Sequence, residues 1–239
     1  MTPPPPDTKA ALAPRLQGYN ARLLGAGDQD RVLALREAVL GDLGHDDLYV
    51  REDHERDFVA AHLGAQGRTI GLYDGTVLVA YAMLGLPRAD DPDNFGHLLG
   101  LERADRARIG HLASCMVQPG YRGRGLQRAL LNARLLLARA HGCTRCAGIV
   151  SLHNHASRHN LMREGLQVLW VGNWHGLRRQ LLVREATRPR PPAAQGVRWL
   201  RADDYGGQLA AIAAGARGLS ERRDGIDPTS PPWIGYAPL

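Results

Sequence analysis

Lysine is all but absent. Lys9 is the only one among 30 basic residues, so the net charge of +6 and the pI near 9.6 rest on arginine. The arginines are scattered and form no continuous basic block, which describes a solvated surface and makes nucleic acid an unlikely partner. Cysteine is scarce too: Cys115, Cys143 and Cys146 are the full set. So few thiols cannot staple a disulfide framework, and they suit a reducing, cytoplasmic setting. Cys143-Thr-Arg-Cys146 has metal-ligand spacing with His141 beside it, but no second Cys or His pair follows, so no metal is expected. The most apolar stretch, residues 129–140, contains Asn132, Arg134 and Arg139, which excludes a membrane span. Met1-Thr-Pro-Pro-Pro-Pro-Asp has neither the basic start nor the apolar core of a signal peptide, and residues 1–16 read as a disordered, Pro-rich leader. A nucleotide P-loop and a dinucleotide fingerprint are also missing.

What is present is concentrated in residues 114–130, Ser-Cys-Met-Val-Gln-Pro-Gly-Tyr-Arg-Gly-Arg-Gly-Leu-Gln-Arg-Ala-Leu. An apolar strand ends at Val117, a turn follows through Gln118, Pro119 and Gly120, and Arg122-Gly123-Arg124-Gly125 opens a helix. Glycines at 123 and 125 accept unusual backbone angles and let a ligand approach the main chain. The N–H groups of the first helical turn and the positive end of its dipole form an anion pocket. With Arg122, Arg124 and Arg128 around it, this is a cradle for a phosphate or diphosphate.

Periodicity supplies the surroundings. A strand over 19–24 precedes a helix that Asp28 can cap, with Val32, Leu35, Val39 and Leu43 on one side. A second helix is expected over about 53–63. Asp74-Gly75 marks a hairpin between strands 69–73 and 76–84, the latter apolar on both faces. Residues 85–110 are long and irregular, which in a folded domain usually signals function or mobility. After strand 111–117, Leu126, Leu130, Ala133, Leu137 and Ala140 make one helical stripe. Strand 145–150, a helix ending near Gly165, and strands 167–172 and 178–184 follow. Arg188-Pro-Arg-Pro-Pro192 reads as a stiff linker. Beyond it, residues 195–210 echo 17–34, which predicts a strand and a helix added to the main body or to another subunit. Trp233, Ile234 and Tyr236 are expected to dock rather than lie exposed.

The glycine–arginine turn resembles the acetyl-CoA loop of the GNAT acyltransferases, Q/R-x-x-G-x-G/A after a strand ending Val-x-Pro. Read from Arg122, Gly125 fits and Gln127 departs; read from Gly120, both glycines fit and the leading Gln/Arg is missing. Asn154-x-x-Ser157 before a helix ending Gly165-Leu166 resembles the family's second landmark. The resemblance covers about residues 19–184. It implies an α/β GNAT fold: a mixed, mostly antiparallel sheet flanked by helices, with a short C-terminal α/β extension. The domains would be leader 1–16, acyltransferase 17–187, and linker with extension 188–239.

The same resemblance implies an N-acyltransferase that moves an acetyl or short acyl group from acetyl-CoA, or another short acyl-CoA, to a primary amine of a small molecule or peptide. Attack would be direct, in a ternary complex. Met116 and Val117 would meet the pantetheine arm; Arg122, Gly123, Arg124, Gly125, Leu126 and Gln127 the diphosphate; Asn154 and Ser157 the cofactor from the next junction. Many relatives carry a Tyr seven residues after the Asn, where this chain has Leu161, so Tyr121 or Ser157 becomes a candidate acid. His111 is the first candidate base, since it begins the strand and titrates near neutrality, followed by His153 and His97. An acyl-Cys115 route is disfavoured by its apolar setting. A non-catalytic acyl-CoA sensor is the alternative function, and salt-sensitive RNA association a weaker one. Acidic residues over 43–63 and 85–110 suggest a cationic acceptor. The extension leaves room for a homodimer.

Overall fold

The amphipathic stripes and the turn signals place most elements where the sequence predicts them. The computed structural model describes residues 18–49, 51–64, 66–185, 196–223 and 230–238. The leader and the 188–192 linker lie outside those residues. The chain divides into two units, one of residues 1–46 and 50–146, the other of residues 47–49 and 147–239.

The first unit opens with β1 (Asn20–Leu24), α1 (Gln29–Leu40) and α2 (Glu55–His62), followed by β2 (Gly67–Asp74) and β3 (Val77–Gly85). A short α3 (Arg103–Arg106), β4 (Ile109–Val117) and α4 (Leu126–Ala140) complete it. Its strands lie in the order β1-β2-β3-β4, each pair antiparallel. Val79 to Leu84 of β3 are wholly buried, as a strand apolar on both faces requires. Both α1 and α4 pack on it. Leu126, Leu130, Ala133 and Leu137 are the buried stripe of α4; each leucine so buried contributes about 2 kcal/mol.

Asp28 stands at the N-cap position of α1 but does not cap it through its side chain. Its carboxylate instead accepts two bonds from Arg22, at 2.6 and 2.8 Å, and one from the Gly25 N–H. The Arg22 bonds outweigh burial and hold the carboxyl far below its usual range. The irregular 85–110 segment is likewise organised. Buried Asn94 donates to the carbonyls of Arg88 and Arg106 and accepts from the Gly96 N–H.

The second unit runs from β5 (Arg145–Ser151), whose first two residues belong to the first unit, through α5 (His155–Arg163), β6 (Gln167–Trp174) and β7 (Leu177–Glu185). The β6–β7 hairpin turns on His175-Gly176, both at positive φ, the pattern of a two-residue hairpin loop. The C-terminal segment adds β8 (Arg198–Arg201), α6 (Tyr205–Ala213), β9 (Ala216–Arg222) and β10 (Trp233–Pro238). Strand order is β5-β7-β6-β9-β10-β8. Among the described residues the extension has three strands and a helix, more than the one strand and one helix expected. Ile234 and Tyr236 are buried in β10.

Candidate functional site

The turn from β4 into α4 has the expected conformation. Gly123 and Gly125 sit at φ +77° and +76°, a region costly for residues with a Cβ. Gly125 is the N-cap, so the cap residue itself has no side chain to close the start of α4. The space a Cβ would enter at Gly120, Gly123 and Gly125 is open. The turn therefore suits a bound diphosphate: backbone close to the surface, a fifteen-residue helix pointing its positive end outward, and arginines beside it. Arg122 pairs with Asp42 at 2.5 Å, and Arg124 bonds the Tyr19 hydroxyl and the Gly120 carbonyl while lying over the Tyr121 ring. Met116 and Leu126 are buried, while Val117 and Gln127 are partly exposed.

Tyr121 lies in this turn, and its hydroxyl donates to Asp74 at 2.9 Å. That bond holds its pKa above the ordinary phenol value. His111 differs from expectation. Its ring stacks on Phe95, with centroids 3.9 Å apart, and Nε2 accepts the Phe95 backbone N–H at 3.1 Å. Burial, with His62 nearby, pushes its pKa down to about 3. A nitrogen whose lone pair is already engaged, in a site that resists charge, does not suit a base working at neutral pH. The sequence could not reveal this, because the partner is a main-chain group in an irregular segment.

The turn from β5 into α5 is built differently. Asn154 Oδ1 accepts the Ser157 N–H at 3.1 Å, and Asn154 Nδ2 donates to the Leu48 carbonyl at 3.3 Å. Beside it, Asp47 accepts bonds from Ser151 Oγ at 2.6 Å, from His153 Nδ1 at 3.0 Å and from Arg179. Burial alone would raise the Asp47 carboxyl; these donors reverse the shift and hold it below its ordinary range. An ionised Asp47 fixes the hydrogen of His153 on Nδ1. The His153 ring is half exposed, and Arg179 is 2% exposed. From sequence, Asp47 counted only among the acidic residues that suggested a cationic acceptor, and Ser151 and Arg179 were given no role. Their roles depend on a contact between residue 47 and residues more than a hundred positions away, for which the sequence carries no local signal.

A second buried polar cluster lies in the first unit. Arg36, wholly buried on α1, pairs with Glu55 and donates to Ser114 Oγ at 3.0 Å and to the Tyr81 hydroxyl at 3.3 Å. Burial would raise the Glu55 carboxyl, but Arg36 and the Glu52 N–H hold it down. The signal was legible: Arg36 follows Val32 by four positions on an otherwise apolar stripe. Arg134 repeats the pattern on α4, buried and bonded to the Met83 and Ala113 carbonyls.

The remaining candidates have local partners. Asp90 pairs with Arg103, and Asp91 accepts the Arg88 N–H. With Asp47 and Glu55 also paired, part of the acidic charge over 43–63 and 85–110 is answered within the chain, which weakens the argument for a cationic acceptor. Burial raises the Cys115 thiol and pushes Cys143 up to about 11, against thiolate chemistry at either. Among the described residues, no helix is long and apolar enough to cross a membrane.

Solved structures of low identity share this fold. The yncA protein of Salmonella typhimurium, solved with its cofactor acetyl-CoA, is 20% identical over 74% of this chain and 98% of its own, with a TM-score of 0.53. NAA60 of Arabidopsis thaliana, solved in complex with acetyl-CoA, is 14% identical over 70% of this chain and 98% of its own, with a TM-score of 0.53. An N-acetyltransferase from Staphylococcus aureus Mu50 is 16% identical over 70% and 99%, with a TM-score of 0.52. No curated protein matches the sequence. Residues 34–165, more than half of the chain, match the family model described as the acetyltransferase (GNAT) family, so this chain is a GNAT acetyltransferase.

Proposed function

We propose that this enzyme transfers an acetyl group from acetyl-CoA to the primary amine of a small molecule or peptide, by direct attack within a ternary complex. The observation that carries the reading is the β4–α4 turn, with its glycine N-cap at φ +76° and open space above the backbone. When bound there, acetyl-CoA supplies the acetyl group already activated as a thioester.

The chain's own residues do the rest. The start of α4, with Arg122 and Arg124, holds the diphosphate, and the main chain at Met116 and Val117 orients the pantetheine arm. His153, with its ring held through Nδ1 by Asp47, which Ser151 and Arg179 keep ionised, is the candidate to take the amine proton. The new C–N bond forms as the C–S bond breaks, and solvent returns a proton to the departing thiolate. Tyr121 is given no part in that step, because its hydroxyl is directed at Asp74. Holding the amine in line with the thioester supplies much of the rate, and a positioned base contributes about 10²–10⁴-fold more.

Calorimetry with CoA and thiol release from acetyl-CoA across a panel of amines test this reading. Binding with amine-dependent release is expected. Absence of heat with CoA overturns the proposal. Binding with no release for any amine favours a sensor, a reading that Leu161 supports by standing where many relatives carry a tyrosine.

A further inference from the structure

Two stretches of the second unit repeat one another at a constant offset of fifty residues. Strand β5 ends at Ser151 and β8 at Arg201. Asn154 caps α5 through the Ser157 N–H at 3.1 Å, and Asp204 caps α6 through the Gly207 N–H at 2.9 Å. Each helix has nine residues and is followed by a left-handed glycine, Gly165 at φ +87° and Gly215 at φ +82°. Arg158 and Gln208, four positions past the caps, each send a side-chain N–H back to the carbonyl six residues earlier, Leu152 and Ala202, both at 2.9 Å. Even the irregularities correspond. The β6–β7 register skips Leu169 and the β9–β10 register skips Leu219, the same bulge in both hairpins.

The two copies face each other through equivalent residues. Val168 pairs antiparallel with Gly218, its own counterpart. The strand order β5-β7-β6-β9-β10-β8 reads the same from either end once each strand is exchanged for its equivalent. That is the arrangement of an isologous interface, in which one patch meets itself across a two-fold axis. Cross-contacts run in both directions: Arg158 of the first copy bonds Glu221 of the second at 2.7 Å, and Gln208 of the second accepts from Gln180 of the first. Arg158 and Glu221 are almost fully buried, so this junction is a sealed interface. The described residues of 198–238 contain no counterpart of the β4–α4 turn.

We propose that residues 198–238 are an internal duplicate of the 147–185 half and occupy the β6 edge as the same half of a second subunit would. The chain carries its partner for this edge within itself. Sequence had pointed to an echo of residues 17–34 instead. Strand order decides against that, since β1 lies beside β2, the next strand in sequence, whereas β8 and β5 each lie beside the second strand to follow.

The test uses the full chain, sedimentation velocity and hydrogen exchange of residues 167–174 from low to high micromolar concentration. For the wild type, protection of β6 independent of concentration is expected. Gly218→Val displaces the duplicate, because a Cβ there meets Val168 Cβ at 2.9 Å. The exposed edge then takes β6 of another chain, shifting the 26.1 kDa monomer to twice that mass and making β6 protection rise with concentration. Glu221→Gln, which unpairs Arg158 with little change of shape, reports in its place if the valine variant does not fold. Concentration-dependent protection of β6 in the wild type overturns the proposal. So does protection that stays independent of concentration in both variants, whether high or low.

Discussion

Two strand-to-helix turns in this enzyme look alike in sequence plan and are opposite in chemistry. The turn from β4 into α4 puts glycine at the cap, so the cap residue offers no side chain to the helix start. The turn from β5 into α5 puts Asn154 at the cap and satisfies the Ser157 N–H with it. A helix start presents N–H donors that something must satisfy; the second turn meets part of that internally, and on the function we propose the first leaves it to the diphosphate. Their histidines differ in the same sense. His111, on β4, has Nε2 engaged by the Phe95 N–H in a site that keeps it neutral. His153, inside the second turn, is half exposed and held through Nδ1 by Asp47. On the function we propose, one turn binds and the other moves a proton.

The largest expected effect tests the second turn. His153→Ala should lower kcat by about 10²–10⁴-fold while leaving KM for acetyl-CoA near the wild-type value, as read by steady-state kinetics. Asp47→Asn should fall in the same direction, because it loses the charge that selects the tautomer. A His153→Ala enzyme with unchanged kcat would erase the division of labour between the turns.

The next effect belongs to the first turn. Gly125→Val forces a branched side chain to φ +76° and covers the helix start. Strain of about 1–2 kcal/mol is expected, together with a rise of at least about tenfold in KM for acetyl-CoA, since 1.4 kcal/mol is a factor of ten. The change should fall on KM and CoA affinity, with kcat at saturation much less affected. If kcat fell and KM did not, the turn would not be the diphosphate site.

Acid sharpens the contrast between the histidines. The His111 pKa in the folded enzyme is about 3, against an ordinary 6.5. Between those values the unfolded chain binds a proton that the folded chain refuses, so stability falls as pH drops from about 6.5 towards 3. One such group contributes a slope of up to about 1.4 kcal/mol per pH unit. Urea unfolding of His111→Gln should show that slope reduced by roughly this amount, with kcat at pH 7.5 little changed. A large loss of kcat in a stable His111→Gln enzyme would return His111 to the chemistry.

The fold was legible where one face of an element met one environment. The stripe of α4, apart from the exposed Ala140 at its end, and the Asp74-Gly75 hairpin are local patterns, and they stand where they were read. Positions that pair across long separations were not legible. Asp47 gains its meaning from Ser151, His153 and Arg179; His153 was a candidate from sequence, but its pairing with Asp47 was not predictable from its neighbours. Arg36 and Arg134 were marked by lying on apolar stripes, but their partners were not. The duplication was hidden because over 151–172 and 201–222 the copies share only two residues, Gly165/Gly215 and Leu169/Leu219. What persisted is the set of backbone constraints, a cap, a left-handed glycine and a bulge, and several side chains can satisfy the first of these.

That substitutability gives the smallest and most discriminating prediction. If Asn154 serves only as a cap, Asn154→Ala should cost about 1 kcal/mol, measured by urea unfolding, and should raise KM for acetyl-CoA only slightly. Asn154→Asp should recover most of the loss, because Asp204 performs the same task for Gly207 in the duplicate helix. The aspartate would forgo the amide bond to the Leu48 carbonyl, so recovery should be incomplete. A rise in KM for acetyl-CoA far beyond the stability change would mean that the Asn154 side chain reaches the cofactor as well as its own helix. The second turn would then be open to ligand like the first, and the contrast between them would rest on their histidines alone.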